Sequence, residues 1–343
     1  MKKHIWIAAV ITAAVIAVFL SAKGGKDVSV PFSNPVIAED CPDPTIWEED
    51  GTFYLMSTGA RRIMCSKDLV TWEVAADRAI DEQSWDAAKE LGKQFWAPDV
   101  TKVDGKWMLY LTCYNAAEDS RIAAFTSAGP AGPFSLVGVL TDSRDTGILD
   151  TIDPEVVTDP KSGRTWLFFG SIGRIHRVEL NRAGTALKNP GNPVYTHVAG
   201  VLAEDNPERD KVFEGTYIHW HKGYWYLFAS GGHYWNHTYR IVAGRSKTLD
   251  GVFVDEDGKP MTEGFATTIL SSEEGDRFYG PGHNGEIFRD RKGNEYMLYH
   301  CHNTDNERSS VRNTLLQRIN WRKDGWPCFE GGKPAQEDMT PRF

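Results

Sequence analysis

Helical periodicity is scarce in this chain. Of its 343 residues, only the stretch from Glu82 to Gly92 carries a pattern that predicts a short helix. No Ser/Pro-rich or low-complexity stretch divides the sequence after about residue 30, so no linker between separate domains is expected. The five cysteines, Cys41, Cys65, Cys113, Cys301 and Cys328, are widely spaced and form no C-x-x-C pair, which excludes a cysteine metal cluster. In an exported protein one or two disulfides could form, with at least one thiol left over. Cys65, Cys113 and Cys301 lie in or beside strand-like runs and read as buried thiols. A long basic run is also missing, and the net charge is -9, which argues against a nucleic-acid partner.

Strand signals are dense instead. Thr52 to Thr58, Lys106 to Thr112, Thr165 to Gly170, Tyr224 to Ala229 and Glu295 to His300 are short aromatic and branched runs. Asp50-Gly51, Asp104-Gly105, Ser162-Gly163, Lys222-Gly223 and Lys292-Gly293 precede them as turn pairs. Third-strand signals recur as well: Cys65-Ser66-Lys67-Asp68-Leu69 resembles Arg245-Ser246-Lys247-Thr248-Leu249. The chain is 41% hydrophobic with 12 Trp and 12 Tyr; aromatics at this level serve either sugar recognition or a β-rich core.

Five segments are copies of one another: Asp43-Pro-Thr-Ile-Trp, Ala97-Pro-Asp-Val-Thr, Asp153-Pro-Glu-Val-Val, Glu214-Gly-Thr-Tyr-Ile and His283-Asn-Gly-Glu-Ile. Each stands at the head of a unit of one four-stranded sheet, so the expected fold is all-β, a five-bladed β-propeller spanning residues 30–343 as a single catalytic domain. In such a fold the heads of the innermost strands converge on one axis.

Lys2 and Lys3 precede an apolar run from Ile5 to Leu20 and a small-residue exit, Ser21-Ala22. Residues 1–24 therefore read as a secretory signal peptide, with an uncleaved N-terminal anchor as the alternative and export to the periplasm or the exterior as the consequence. A monomer is expected.

Splitting a glycosidic bond needs a protonated carboxyl on one side of the anomeric carbon and an ionised one on the other. A third carboxylate near the acid raises its pKa by repulsion. Asp43, Asp153 and Glu214 meet that demand: Glu214, with the longer reach and the higher reference pKa, is the natural acid, and Asp43 the natural base. Ala97 has no chemistry, so Trp96 beside it is the candidate stacking face for a sugar, and Asp99 reads as a structural hydrogen-bonding residue. His283 would suit one protein ligand to a hydrated cation in the channel, or a hydrogen-bond partner of Asp153 or of substrate. His219, His221, His233 and His237 have no zinc spacing and read as surface or strand residues.

These residues resemble glycoside hydrolase family 43, and its arabinanase branch most. The resemblance rests on Pro42-Asp43-Pro-Thr-Ile, Trp96-Ala-Pro-Asp-Val, Ile152-Asp153-Pro, Phe213-Glu214-Gly-Thr-Tyr and Gly280-Pro-Gly-His283-Asn, and runs from about residue 35 to 330. It implies an inverting hydrolase of plant cell-wall arabinan, with Asp43 as base, Glu214 as acid and Asp153 as pKa modulator. It also implies a calcium ion held in the channel by His283, and no organic cofactor. The fructan-acting sister propellers open on Asn-Asp-Pro-Asn-Gly, which is missing here. The chain departs from the arabinanase pattern after Phe169-Gly-Ser171, before Ile152-Asp153 and at His283-Asn-Gly, where sugar subsites, Ser171 among them, are expected. Endo-cleavage of 1,5-linked chains is the leading expectation. An exo-acting arabinofuranosidase or related furanosidase or xylosidase is the alternative within the scaffold, and a non-catalytic carbohydrate-binding propeller the alternative outside it. Asn115 to Arg121, Thr185 to Lys211 and Ser271 to Tyr279 are the loops expected to decide between an open groove and a blocked pocket.

Overall fold

The computed structural model describes residues 30–201 and 213–343. The signal-peptide and anchor readings of residues 1–24, and residues 202–211 of one candidate loop, lie outside the described residues. No helix among the described residues is long and apolar enough to cross a membrane.

Five antiparallel sheets form the five expected blades. Blade 1 runs Thr45–Glu49, Thr52–Met56, Ile63–Ser66, Glu73–Ala76, and blade 2 runs Gln94–Val103, Lys106–Ala116, Asp119–Ser127, Ser135–Asp142. Blade 3 runs Glu155–Thr158, Thr165–Phe169, Ile175–Leu180, Thr196–Ala199, and blade 4 runs Phe213–His221, Tyr224–Gly231, Arg240–Ser246, Thr267–Leu270. In blade 5 the innermost strand is split into Phe278–Gly282 and Ile287–Arg289, followed by Glu295–Asn303, Arg312–Trp321 and Pro327–Phe329. The one long helix among the described residues is Glu82–Leu91, between blades 1 and 2, where the Asp81 carboxylate caps the first turn by accepting from Ser84 N at 2.8 Å.

The core divides by blade interface, as period-two strands require. Trp107, Leu109 and Leu111 of blade 2 pack with Trp47, Met56 and Ile63 of blade 1. The alternate residues Met108 and Tyr110 pack with Val156, Leu167 and Phe169 of blade 3. Middle strands covered on both faces explain why the runs look continuously apolar rather than alternating. Equivalent clusters join blades 3 and 4, 4 and 5, and 5 and 1. Most of the aromatic content is used here.

A ring of five hydrogen bonds closes the channel wall. Thr45 Oγ1 accepts from Val100 N at 3.1 Å, Asp99 Oδ2 from Val156 N at 2.7 Å, and Glu155 Oε1 from Ile218 N at 3.0 Å. Tyr217 Oη accepts from Ile287 N at 3.1 Å, and Glu286 Oε2 accepts from Ile46 N, which returns the ring to blade 1. In every case a side chain of one blade takes the amide that follows the equivalent position in the next. Asp99 is thus the structural hydrogen-bonding residue it is expected to be.

The chain ends close the circle a second way. Pro31–Ser33 pairs with Glu337–Met339, and the Asn34 side chain donates to Leu316 O and accepts from Leu316 N in blade 5. All five cysteines are free thiols; Cys41, Cys113 and Cys301 are buried, but Cys65 is only half-buried, because it lies on the outward side of blade 1.

Candidate active site

The inner strands start from a left-handed turn. Asp43, Ala97, Asp153 and His283 have φ of 54°, 39°, 55° and 43°, and Gly215 has 62°. The fourth copy is therefore offset by one from the sequence alignment: Gly215, not Glu214, occupies the turn. Glu214 instead shares the preceding position with Trp96 and Ile152, and all three line the cleft. Glycine at 215 serves the positive φ and also the space, since a Cβ there would lie 2.9 Å from His283 Nδ1.

The heads converge as expected. Asp43, Trp96, Asp153, Glu214 and His283 line one cleft of about 260 Å³ on the axis, together with Thr58, Tyr234, Tyr239 and Arg312. A larger hollow of about 340 Å³ lies beside the helix, but the charges on its wall, such as Arg78 with Glu82 and Lys89 with Asp86, pair with one another.

Asp43 is enclosed by cationic and donor groups. Its Oδ1 accepts from Arg312 Nη1 at 3.0 Å and lies 3.3 Å from His283 Nδ1; its Oδ2 accepts from Thr58 Oγ1 at 2.6 Å. Burial alone pushes this carboxyl up, but Arg312 first and then the His283 ring outweigh it and hold Asp43 well below the ordinary carboxylate range. His300, buried and pushed down to about 3 chiefly by desolvation, is neutral, and its Nδ1 accepts from Asp43 N at 3.2 Å. His283 thus pairs with Asp43 rather than with Asp153.

Asp153 sits on the opposite side of the pKa balance. Burial first, then the charges of Glu214 and Asp43, push it well above the usual range. Its Oδ2 accepts from Gly215 N at 3.2 Å. Glu214 is held at both oxygens: Oε2 accepts from Ser171 Oγ at 2.6 Å and Oε1 from Tyr239 Oη at 2.7 Å. Ser171, expected to touch sugar, has its hydroxyl committed to Glu214 because it is buried behind the carboxyl. Trp96 lies nearly parallel to Tyr114, with centroids 4.1 Å apart, which fixes its ring at the cleft wall.

Four site residues escape sequence reasoning: Thr58, Tyr239, His300 and Arg312. They come from strand ends outside the repeated heads, so no internal repetition marks them. Tyr239 is fully buried, and a Cβ on Gly282 would lie 2.0 Å from its ring, so a glycine there makes the Tyr239 position possible.

Calcium takes six to eight oxygen ligands. His283 offers one imidazole whose Nδ1 already faces Asp43, and among the described residues no group of three His, Cys, Asp or Glu is placed to hold a metal. The expected ion would take His283 as its single protein ligand with water completing the shell, and no chemical step here depends on it.

The arrangement can hold Asp43 ionised and Asp153 neutral, with Glu214 set between two hydroxyl donors, across a cleft with an aromatic wall. That is the equipment of a glycoside hydrolase. Comparison with known proteins agrees. The extracellular exo-α-(1→5)-L-arabinofuranosidase of Cellvibrio japonicus is 30% identical over 313 residues, covering 84% of this chain and 86% of the relative. The extracellular endo-α-(1→5)-L-arabinanase 1 of Bacillus subtilis is 27% identical over 300 residues, covering 84% and 87%. Among solved structures, the α-L-arabinanase of Cellvibrio cellulosa complexed with arabinohexaose superposes with a TM-score of 0.71 at 26% identity, covering 84% of this chain and 95% of that one. The profile of the glycosyl hydrolases family 43 matches residues 32–327, and the chain, a glycoside hydrolase, belongs to that family.

Proposed function

We propose that this enzyme hydrolyses α-1,5-linked L-arabinan, within the chain, with inversion at the anomeric carbon. Asp43 is the base. Its Oδ1 is taken by Arg312 and His283, while Oδ2 accepts only from Thr58 and keeps a lone pair for a water proton. The water oxygen bonds to the anomeric carbon as its proton passes to Asp43. The bond from that carbon to the leaving oxygen breaks, and Glu214 delivers a proton to that oxygen.

Asp153 and Glu214 are electrostatically linked, since the charge of Glu214 raises Asp153. The single observation that carries the reading is the opposed environment of the two Asp heads: Asp43 held ionised by Arg312 and the groups around it, Asp153 pushed toward its neutral form by burial and by Glu214. A second negative charge on the pair is disfavoured, so a proton remains available beside the leaving group. Ser171 and Tyr239 aim Glu214, and Trp96 supplies a face for a sugar ring. The names of the relatives support arabinan as substrate and export as the destination, in keeping with Lys2, Lys3 and the apolar run behind them.

The test is proton NMR of linear arabinan during early digestion. A β-configured reducing end appearing first is the expected result; an α-configured end overturns inversion, and no digestion overturns the substrate. A second reading, exo-action, is favoured by the name of the 30% identical Cellvibrio japonicus relative. Against it, Asn115 to Arg121 is no blocking loop but a tight hairpin between Lys106–Ala116 and Asp119–Ser127. Mixed oligomers as early products mark endo-action, and monomer or dimer alone marks exo-action.

A further inference from the structure

The loop between Tyr224–Gly231 and Arg240–Ser246 of blade 4 carries His233-Tyr234-Trp235 to the face of the propeller where the inner strands begin. Tyr234 lines the cleft with Asp43 and Glu214, yet 45% of it is exposed, and Trp235 next to it is 53% exposed. The third exposed large aromatic among the described residues, Trp220, stands at the far end of the blade 4 inner strand, on the opposite face. Two consecutive exposed aromatics beside a polar cleft are costly in water and mark a surface that a ligand covers.

The pair is fixed rather than loose. The Tyr234 and Trp235 rings meet edge to face at 5.0 Å and 86°, and His233 lies against Trp235 at 4.7 Å. The carbonyl of Tyr234 lies 2.8 Å from His302 Nε2 of blade 5, and Asn236 Oδ1 accepts from Thr238 N at 2.9 Å and Thr238 Oγ1 at 2.6 Å. The Arg312 guanidinium stands 5.3 Å from the Tyr234 ring centroid while it pairs with Asp43, so that charge is already compensated. A rigid apolar face with polar edges suits a neutral sugar. The C–H face of the sugar covers the ring, and its hydroxyls reach the Tyr hydroxyl or the indole N–H.

We infer that Tyr234 and Trp235 form a glycan platform outside the cleaved linkage, which binds a further pentosyl residue of the arabinan chain; this rests on the substrate reading above. The enzyme would then gain from substrate length through these two rings. One stacking contact is worth about tenfold in affinity.

The experiment compares arabinotriose with arabinohexaose as substrates for the wild type and for Trp235→Ala and Tyr234→Ala. The expected result is a KM for arabinohexaose raised about tenfold in Trp235→Ala, with kcat and melting temperature little changed and the wild-type preference for the longer chain reduced. Calorimetry of arabinohexaose binding to Glu214→Gln, with and without Trp235→Ala, reads the same loss without turnover. If the wild type cleaves arabinan and the variants keep its length preference and its binding, the platform is overturned and the substrate reading stands. If the wild type leaves arabinan uncut and Glu214→Gln binds no arabinohexaose, both fall.

Discussion

Arg312 donates to Asp43 Oδ1 at 3.0 Å across 269 residues of chain, so the third strand of blade 5 sets the charge of the first carboxyl on blade 1. Without that guanidinium, burial becomes the dominant influence on Asp43, and burial raises its pKa. Arg312→Leu should therefore protonate the base at mildly acid pH. The acid limb of the kcat/KM profile is expected to move to higher pH by at least one unit. A profile that keeps its acid limb and merely drops in height would show that Arg312 serves another purpose.

Tyr239 donates to Glu214 Oε1 at 2.7 Å from a fully buried ring stacked near His300. Tyr239→Phe removes that donor and leaves the ring in place. A hydrogen bond to a charged group is worth about 1.5–3 kcal/mol, so kcat should fall roughly 10- to 100-fold with KM and melting temperature nearly unchanged. A kcat that stays at the wild-type level would reduce Tyr239 to packing.

The four chemically active heads are legible in the sequence because a propeller repeats its backbone, and repetition lifts Asp43, Asp153, Glu214 and His283 above the ordinary run of turn residues. The offset in the fourth copy is not legible: Glu214-Gly215 aligns with Asp-Pro by its acid, while the left-handed turn sits on the glycine. The partners that tune the heads are hidden for a different reason. Arg312 acts across blades, and Tyr239 and Thr58 across strands of one blade, through contacts 269, 25 and 15 residues apart in the chain, and they carry no pattern of their own. The aromatic content likewise reads two ways until the fold sorts it: Trp107, Tyr226 and Trp326 are core, whereas Trp96 and Tyr234 face the cleft.

His283 Nδ1 lies 3.3 Å from Asp43 Oδ1, which makes this imidazole a partner of the base. His283→Ala should then lower kcat about tenfold or more by stripping a partner from a buried carboxylate, and chelation with EDTA tests whether the other ring nitrogen also serves an ion: unchanged kcat and melting temperature would leave the imidazole as a partner of Asp43 alone. Activity that falls on chelation and returns with calcium would instead assign the imidazole to an ion.

Two or three residues past the left-handed turns, the channel ring contains three buried carboxyls, Asp99, Glu155 and Glu286. Burial raises Asp99 to about 7, and burial with the charge of Asp99 raises Glu286 to about 8; Glu155 is pushed well above its usual range by burial, Asp99 and Glu286. Tyr110 and Tyr217, the other titrating neighbours, are raised as well, by burial first and then by these carboxyls, and stay neutral. In the unfolded chain the same carboxyls ionise near pH 4. Between about pH 4 and 8 the folded state therefore holds protons that the unfolded state has released, and stability falls as pH rises through that window. Asp43 acts in the opposite sense, but only where pH drops below about 4. Glu286→Gln keeps an acceptor for Ile46 N and removes one titrating group from the ring. Its melting temperature should decline less than that of the wild type between pH 5 and 9, and parallel curves for the two proteins would show that the ring carboxyls are ionised in the fold from the start.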